Sequence, residues 1–215
     1  VIDATCPLGT KAHRQAIRYE DQGREVVLVG HPGHPEVEGT RGRIKGKIHV
    51  VATPEEVDAL EIDDPDRLSY VTQTTLSVDD TREVIDALVR RFPAIVGPNL
   101  KDICYATQNR QNAVKSMLDD IDALVVVGSS NSSNSSRLRD LGERAGVPSY
   151  LVDDPADVTP DWVAGRPRIG VTAGASAPDE LVHEILQRLQ ELGVTDVREV
   201  DGERENVVFA MPDGL

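Results

Sequence analysis

The chain states one local pattern twice, and each statement begins at one of its two cysteines. Cys6 stands in Asp-Ala-Thr-Cys-Pro (3–7), followed by a helix-like stretch, the aliphatic run Val26-Val27-Leu28-Val29, and Gly30. Cys104 stands in Asp-Ile-Cys-Tyr-Ala-Thr (102–107), followed by a helix-like stretch, the run Leu124-Val125-Val126-Val127, and Gly128. In both copies the glycine follows the cysteine by 24 positions. Past each glycine the chain turns polar, as His31-Pro-Gly-His34-Pro-Glu36 in one copy and Ser129-Ser-Asn-Ser-Ser-Asn134-Ser in the other. A third match, at Val71-Thr-Gln-Thr74 and Val171-Thr-Ala-Gly174, follows the cysteines by 65 and 67 positions. Two copies of one unit, each offering a thiol and a polar loop, imply a composite site built by pseudo-symmetry.

The pattern inside each copy is alternating strand and helix. The two aliphatic runs lack polar alternation, as expected of parallel strands covered on both faces. In the first copy strands are expected at 1–4, 25–30, 48–52 and 68–72. Helices are expected at 10–21, from 53, and from 77 to 91, the last with Val84, Leu88 and Val89 facing inward. The second copy repeats the order, with strands at 102–104, 123–128, 149–152 and 168–171. Its helices are expected at 108–118, from a cap at Asn134 or Ser135 to 145, and at 177–192. A further strand is expected at 196–200. The fold class is therefore α/β, two pseudo-symmetric units of parallel-type sheet flanked by helices, with right-handed crossovers. Such sheets bind ligands beyond the carboxyl ends of their strands, which is where every unusual residue falls.

A net charge of −14 argues against nucleic acid, whose phosphates demand a basic face. No apolar run reaches the length of a membrane span, and the opening lacks the basic-then-apolar form of a secretory leader. Two cysteines do not make a secreted disulfide framework. A cytoplasmic setting is expected.

Several side chains could carry chemistry. Cys6 and Cys104 each lie between a strand and a helix start, where they could ligate metal, attack an electrophile, form a disulfide, or simply pack as small apolar residues. A tetrahedral zinc site is disfavoured by the lack of Cys-x-x-Cys spacing, and iron–sulfur ligation with additional ligands is more consistent. His34 suits a phosphate and Glu36 suits proton delivery, unless both are plain surface loop residues. His31 is a weaker candidate of the same kind, and His13, His49 and His183 read as structural or exposed. The serine-rich run 129–136 is either a flexible linker or an uncharged anion cradle at a helix start, and its position between strand and helix favours the cradle. Thr74, Thr75 and Ser176 occupy the matching end of the third strand in each copy.

Six segments, read in order, carry a resemblance. They are Asp-Ala-Thr-Cys-Pro (3–7), Gly-His-Pro-Glu-Val-Glu-Gly (33–39), Thr-Gln-Thr-Thr-Leu-Ser-Val-Asp-Asp-Thr (72–81), Asp-Ile-Cys-Tyr-Ala-Thr-Gln-Asn-Arg-Gln (102–111), Asn-Ser-Ser-Asn-Ser (131–135) and Thr-Ala-Gly-Ala-Ser-Ala-Pro (172–178). Together they resemble the 4-hydroxy-3-methylbut-2-enyl diphosphate reductase family, which closes the non-mevalonate isoprenoid pathway. The resemblance implies one [4Fe–4S] cluster held by three cysteines from three pseudo-symmetric units, of which Cys6 and Cys104 match two. It implies that His34 binds diphosphate, that Glu36 relays the proton, and that Thr74 lies beside the substrate hydroxyl. Ser132, Asn134 and Ser176 match diphosphate ligands, with Thr75 and Ser133 as their motif neighbours. It also implies an allylic diphosphate substrate, isopentenyl and dimethylallyl diphosphate as products, and an external electron donor such as ferredoxin or flavodoxin.

The family's first unit, with the remaining cysteine, has no counterpart in this sequence. With the missing initiator Met, that leads us to expect a piece of a longer protein, inactive alone. The expected division is 1–100 and 101–196 as α/β units, the family's second and third, with 197–215 as a C-terminal tail. A cluster-free diphosphate-binding relative is the alternative, and a Cys6–Cys104 thiol–disulfide switch is a remote third reading.

Overall fold

The computed structural model describes residues 6–98, 104–200 and 202–203. Strands expected at 1–4 and over 102–103 lie outside the described residues. Two compact units emerge, one over the described residues up to Cys104 and one from Tyr105 onward.

The first unit runs α1 (Pro7–Asp21), β1 (Glu25–Val29), α2 (Pro35–Arg41), β2 (Ile48–Val51), α3 (Pro54–Asp58), β3 (Leu68–Thr72) and α4 (Val78–Arg91). Its sheet is parallel, in the order β2-β1-β3, with Val29 opposite both Val51 and Thr72. The central strand explains the layers. Val27 and Val29 pack with Val57 of α3 and Val84, Ile85 and Leu88 of α4. Val26 and Leu28 pack with Ala16 and Tyr19 of α1 and Val37 of α2. Consecutive strand residues point to opposite faces, so an unbroken aliphatic run serves two helical layers at once. Each such side chain contributes about 1.5–3 kcal/mol by leaving water.

The second unit repeats the plan as α5 (Tyr105–Met117), β4 (Ala123–Val127), α6 (Ser133–Arg144), β5 (Ser149–Val152), β6 (Ile169–Ala173) and α7 (Asp179–Glu191). Short 3-10 turns at Pro155–Asp157 and Pro160–Trp162 stand where the first unit has α3. The sheet is parallel, β5-β4-β6, with Val127 opposite both Val152 and Ala173. Val125 and Val127 pack on Ile185 and Leu189 of α7, and Leu124 and Val126 on Val114 of α5 and Leu138 of α6.

Four local readings change. Helix α2 occupies a segment expected to be loop. It has seven residues and buries Val37 and Thr40, too short a stripe to show periodicity. Helix α6 is capped by Ser132, two or three residues before the expected cap at Asn134 or Ser135. Val89 is 46% exposed on α4, while Ile85 takes its expected place in the core. Residues 194–200 form no strand and pair with no sheet edge among the described residues; Val197 and Val200 stand 48% and 57% exposed.

Candidate functional site

In the first unit, the chain leaves β1 at Gly30 and turns at once. The His34 N–H donates to the His31 carbonyl at 3.1 Å, closing a turn with Pro32 and Gly33 at its centre. Gly33 has φ +80°, so this is the Pro-Gly geometry of a type II turn. The turn delivers His34 to the N-cap of α2, and Pro35 takes the first helical position, where its missing N–H is no loss. His34 Nδ1 accepts the Glu36 backbone N–H at 3.2 Å. With Nδ1 accepting, Nε2 carries the ring proton and is the nitrogen left to donate to a ligand.

Glu36 reaches from α2 to the end of β3. Its Oε1 accepts the Thr74 backbone N–H at 2.7 Å, and the Thr74 carbonyl accepts the Cys104 N–H at 3.0 Å. His34, Glu36, Thr74 and Cys104 are thus joined through three hydrogen bonds. Burial pushes the Glu36 carboxyl above its ordinary value of 4.5, opposed but not cancelled by the Thr74 backbone and hydroxyl hydrogen bonds and by the His34 ring. A carboxyl so held keeps its proton to higher pH than an exposed glutamate. Thr75 Oγ1 accepts from Gln73 Nε2 at 3.0 Å, and Gln73 Oε1 accepts the His31 N–H at 3.1 Å. Gln73 is 1% exposed and ties the β1 and β3 loops together. Its place inside the Thr-Gln-Thr-Thr motif is the one sequence signal for this role.

In the second unit, the Ser132 N–H donates to the Ser129 carbonyl at 2.9 Å, making the matching turn after Gly128. Ser132 Oγ accepts the Ser135 N–H at 3.3 Å and caps α6. Ser133, Asn134 and Ser135 form the first turn of that helix, whose N–H groups suit an anion. Asn134 is 5% exposed, and neither its oxygen nor its nitrogen has a hydrogen-bond partner among the described residues. A buried amide left so is costly, and a ligand rich in acceptors and donors would satisfy it. Ser176 is exposed in the turn closed by the Ala177 N–H on the Gly174 carbonyl at 3.0 Å.

Cys6 is exposed at the N-cap of α1, and Cys104 is half-buried immediately before α5. Both positions suit thiolate ligation of an iron–sulfur cluster. The chain's two cysteines fall short of the three thiolates the resemblance implies, and no group of three or more His, Cys, Asp or Glu gathers among the described residues. The donor set therefore fits part of a cluster's ligation. His49 contacts Glu25 at 2.9 Å, His183 contacts the Asp179 carbonyl at 2.7 Å, and His13 is buried in α1.

The sequence profile of a family described as LytB protein matches residues 1–190. The chain belongs to the LytB family. The 4-hydroxy-3-methylbut-2-enyl diphosphate reductase of Azoarcus sp. (strain BH72) is 57% identical over 215 residues, covering 100% of this chain and 69% of that protein. Reductase 2 of Burkholderia mallei (strain ATCC 23344) is 55% identical over 215 residues, covering 100% and 66%. The chain thus spans about two thirds of the length of these curated relatives. Among solved structures, the E-1-hydroxy-2-methyl-but-2-enyl-4-diphosphate reductase from Plasmodium falciparum matches with a TM-score of 0.91 at 33% identity, over 98% of this chain and 67% of that one. A second, an (E)-4-hydroxy-3-methyl-but-2-enyl diphosphate reductase of the non-mevalonate pathway, matches with a TM-score of 0.52 at 35% identity, over 89% and 68%. The α/β fold and the reductase family expected from the six motifs both hold.

Proposed function

We propose that this chain serves the reductive dehydroxylation of 4-hydroxy-3-methylbut-2-enyl diphosphate to isopentenyl and dimethylallyl diphosphate. The observation that carries the reading is the bonded series His34–Glu36–Thr74–Cys104. It sets a carboxyl whose pKa burial raises two hydrogen bonds from a cysteine at a strand–helix junction. Overall, a C–O bond breaks, a C–H bond forms, and two electrons and two protons are taken up as water leaves. Glu36 gives its proton to the departing hydroxyl oxygen, a role worth about 10²–10⁴-fold in rate for a positioned acid. The Thr74 N–H fixes the carboxyl's direction, and the Thr74 side chain stands beside the hydroxyl. His34 donates from Nε2 to the diphosphate. Ser132, Ser133, Asn134 and Ser176 supply hydroxyl, amide and helix N–H donors to the diphosphate, and Thr75 holds the Thr74 loop in place. Binding energy from that anion then orients the reacting bond.

Cys6 and Cys104 would be two ligands of a [4Fe–4S] cluster, which when bound supplies the electrons and a Lewis-acidic iron. Electrons would come from an external carrier such as ferredoxin or flavodoxin, in the cytoplasm. The division into units over 1–100 and 101–196 with a tail over 197–215 belongs to this reading. The test is anaerobic reconstitution followed by turnover of the allylic diphosphate with a reduced carrier. Glu36→Gln should bind substrate and lose turnover, and normal turnover by that variant would remove the proton relay.

The buried Asn134 amide, unpartnered among the described residues, also supports a second reading, a cluster-free relative that binds diphosphate without reducing it. Absence of an iron–sulfur absorbance band after reconstitution, with diphosphate binding intact, would select it.

A further inference from the structure

We infer that Ser135 is a positioning residue. Its side chain fills a notch between Gly128 and Gly174, and that fit fixes where Ser132, Asn134 and Ser176 meet an incoming diphosphate; the inference rests on the anion-binding reading above. Ser135 is fully buried, and its Oγ has no hydrogen-bond partner among the described residues. Its place is argued from the space it fills, since the described fold offers its Oγ no polar contact.

The notch is tight. A Cβ built on Gly128 would stand 2.4 Å from Ser135 Oγ, and one on Gly174 would stand 2.1 Å from it. Both are far inside van der Waals contact, so a side chain at either position must move the Ser135 hydroxyl and crowd its Cβ, at 3.1 and 3.3 Å. Gly174 does not have the positive φ that favours glycine, so Ser135 Oγ is the tightest obstacle to a side chain there. Both glycines are anchored to the sheet: Gly128 donates to the Val152 carbonyl at 2.8 Å and Gly174 to the Val127 carbonyl at 2.9 Å. The notch is therefore a fixed feature of the strand ends, and α6 is seated against it through Ser135.

Three of the proposed anion ligands of this unit hang from that seat. The Ser135 N–H holds Ser132 Oγ at 3.3 Å. Asn134 precedes Ser135 in the first turn, and its amide nitrogen would lie 3.7 Å from a Cβ on Gly174. Ser176 lies in the turn that begins at the Gly174 carbonyl. The buried, unsatisfied Asn134 amide is the independent sign that a ligand is expected at this helix end.

The experiment is a double-mutant cycle on the full chain, read by calorimetric titration with inorganic pyrophosphate. Gly174→Ala should weaken binding by roughly tenfold, within the range of couplings seen between touching residues. Ser135→Ala, which leaves the notch underfilled, should weaken it by about threefold, and the double variant should return to within about threefold of wild type because the new methyl occupies the vacated space. Unfolding curves run alongside separate a moved ligand set from a damaged fold. A Gly174→Ala chain that binds as wild type, or a double variant no better than Gly174→Ala, overturns the inference while leaving the cradle intact. If Gly174→Ala does not fold, Ser135→Thr takes its place: it crowds the same notch, should weaken binding, and would overturn the inference by binding normally. If Asn134→Ala binds pyrophosphate as tightly as wild type, the cradle itself fails and takes this inference with it.

Discussion

The polar loops after β1 and β4 are built alike and equipped differently. Each follows a glycine that continues the sheet, Gly30 donating to Val51 and Gly128 to Val152. Each turns once and enters a helix, with His34 or Ser132 as the cap. The second helical residue is then Glu36 in one loop and Asn134 in the other, and the third is Val37 or Ser135. Glu36 is engaged, held by the Thr74 N–H at 2.7 Å, whereas the Asn134 amide is buried without a partner among the described residues. The residue that extends the third strand differs too. Gln73 donates its N–H to Val29 and braces two loops with its side chain, while Gly174 donates to Val127 and leaves a notch for Ser135. A carboxyl pre-organised by the protein suits proton transfer, and an amide awaiting partners suits ligand binding. In the proposed function, one backbone plan would serve two chemical tasks through a few side chains.

The widest separation between the loops should be kinetic. Glu36→Gln is expected to cut turnover by about 10²–10⁴-fold, the usual worth of a positioned general acid, measured in anaerobic steady-state assays. If Asn134→Ala lowered kcat as much while leaving KM unchanged, the division between the loops would break.

The shared scaffold makes the next prediction symmetric. Leu28→Ala and Leu124→Ala each remove a fully buried side chain from the same face of the central strand. Each should cost about 2–5 kcal/mol in urea unfolding. A loss below 1 kcal/mol in one of the pair would show that its sheet is not packed on both faces.

The brace sharpens the contrast at the loops themselves. Gln73→Ala leaves the His31 N–H without its acceptor and should cost about 0.5–1.5 kcal/mol. Equal stability of Gln73→Ala and wild type would remove the brace from the first loop.

The smallest effect is on pH dependence. Burial raises the folded-state pKa of Glu36 above 4.5, so the protonated carboxyl favours the fold. That contribution is complete at low pH, below the unfolded value, and is lost as pH rises through the folded one. Wild type should therefore lose a little stability over that rise, and Glu36→Gln should not. Parallel profiles for the two would mean that Glu36 is not desolvated.

Much of this was legible in the chain because strands are cheap to see when both faces are covered. Val26–Val29 and Leu124–Val127 admit no amphipathic reading, and the matched cysteine spacing fixed the order of elements around them. Helix α2 was hidden because seven residues with two buried side chains carry no measurable period. Its start was nonetheless written in Pro35, Glu36 and Glu38, a proline at the first position with acids in the first turn. Val197 and Val200 read as strand on propensity alone, and propensity without strand pairing does not make one. Residue types named the loops as candidates for proton and anion chemistry. The Thr74–Glu36 bond, the Gln73 brace and the Ser135 notch depend on contacts between segments far apart in sequence, and no spacing reports those.

The division of labour between the loops is tested most directly by titrating inorganic pyrophosphate into wild type, Glu36→Gln and Asn134→Ala in one calorimetric series. The account predicts that Glu36→Gln binds within a few-fold of wild type and that Asn134→Ala loses at least about tenfold, the cost of about 1.4 kcal/mol. Equal losses in both variants, or a loss confined to Glu36→Gln, would contradict it.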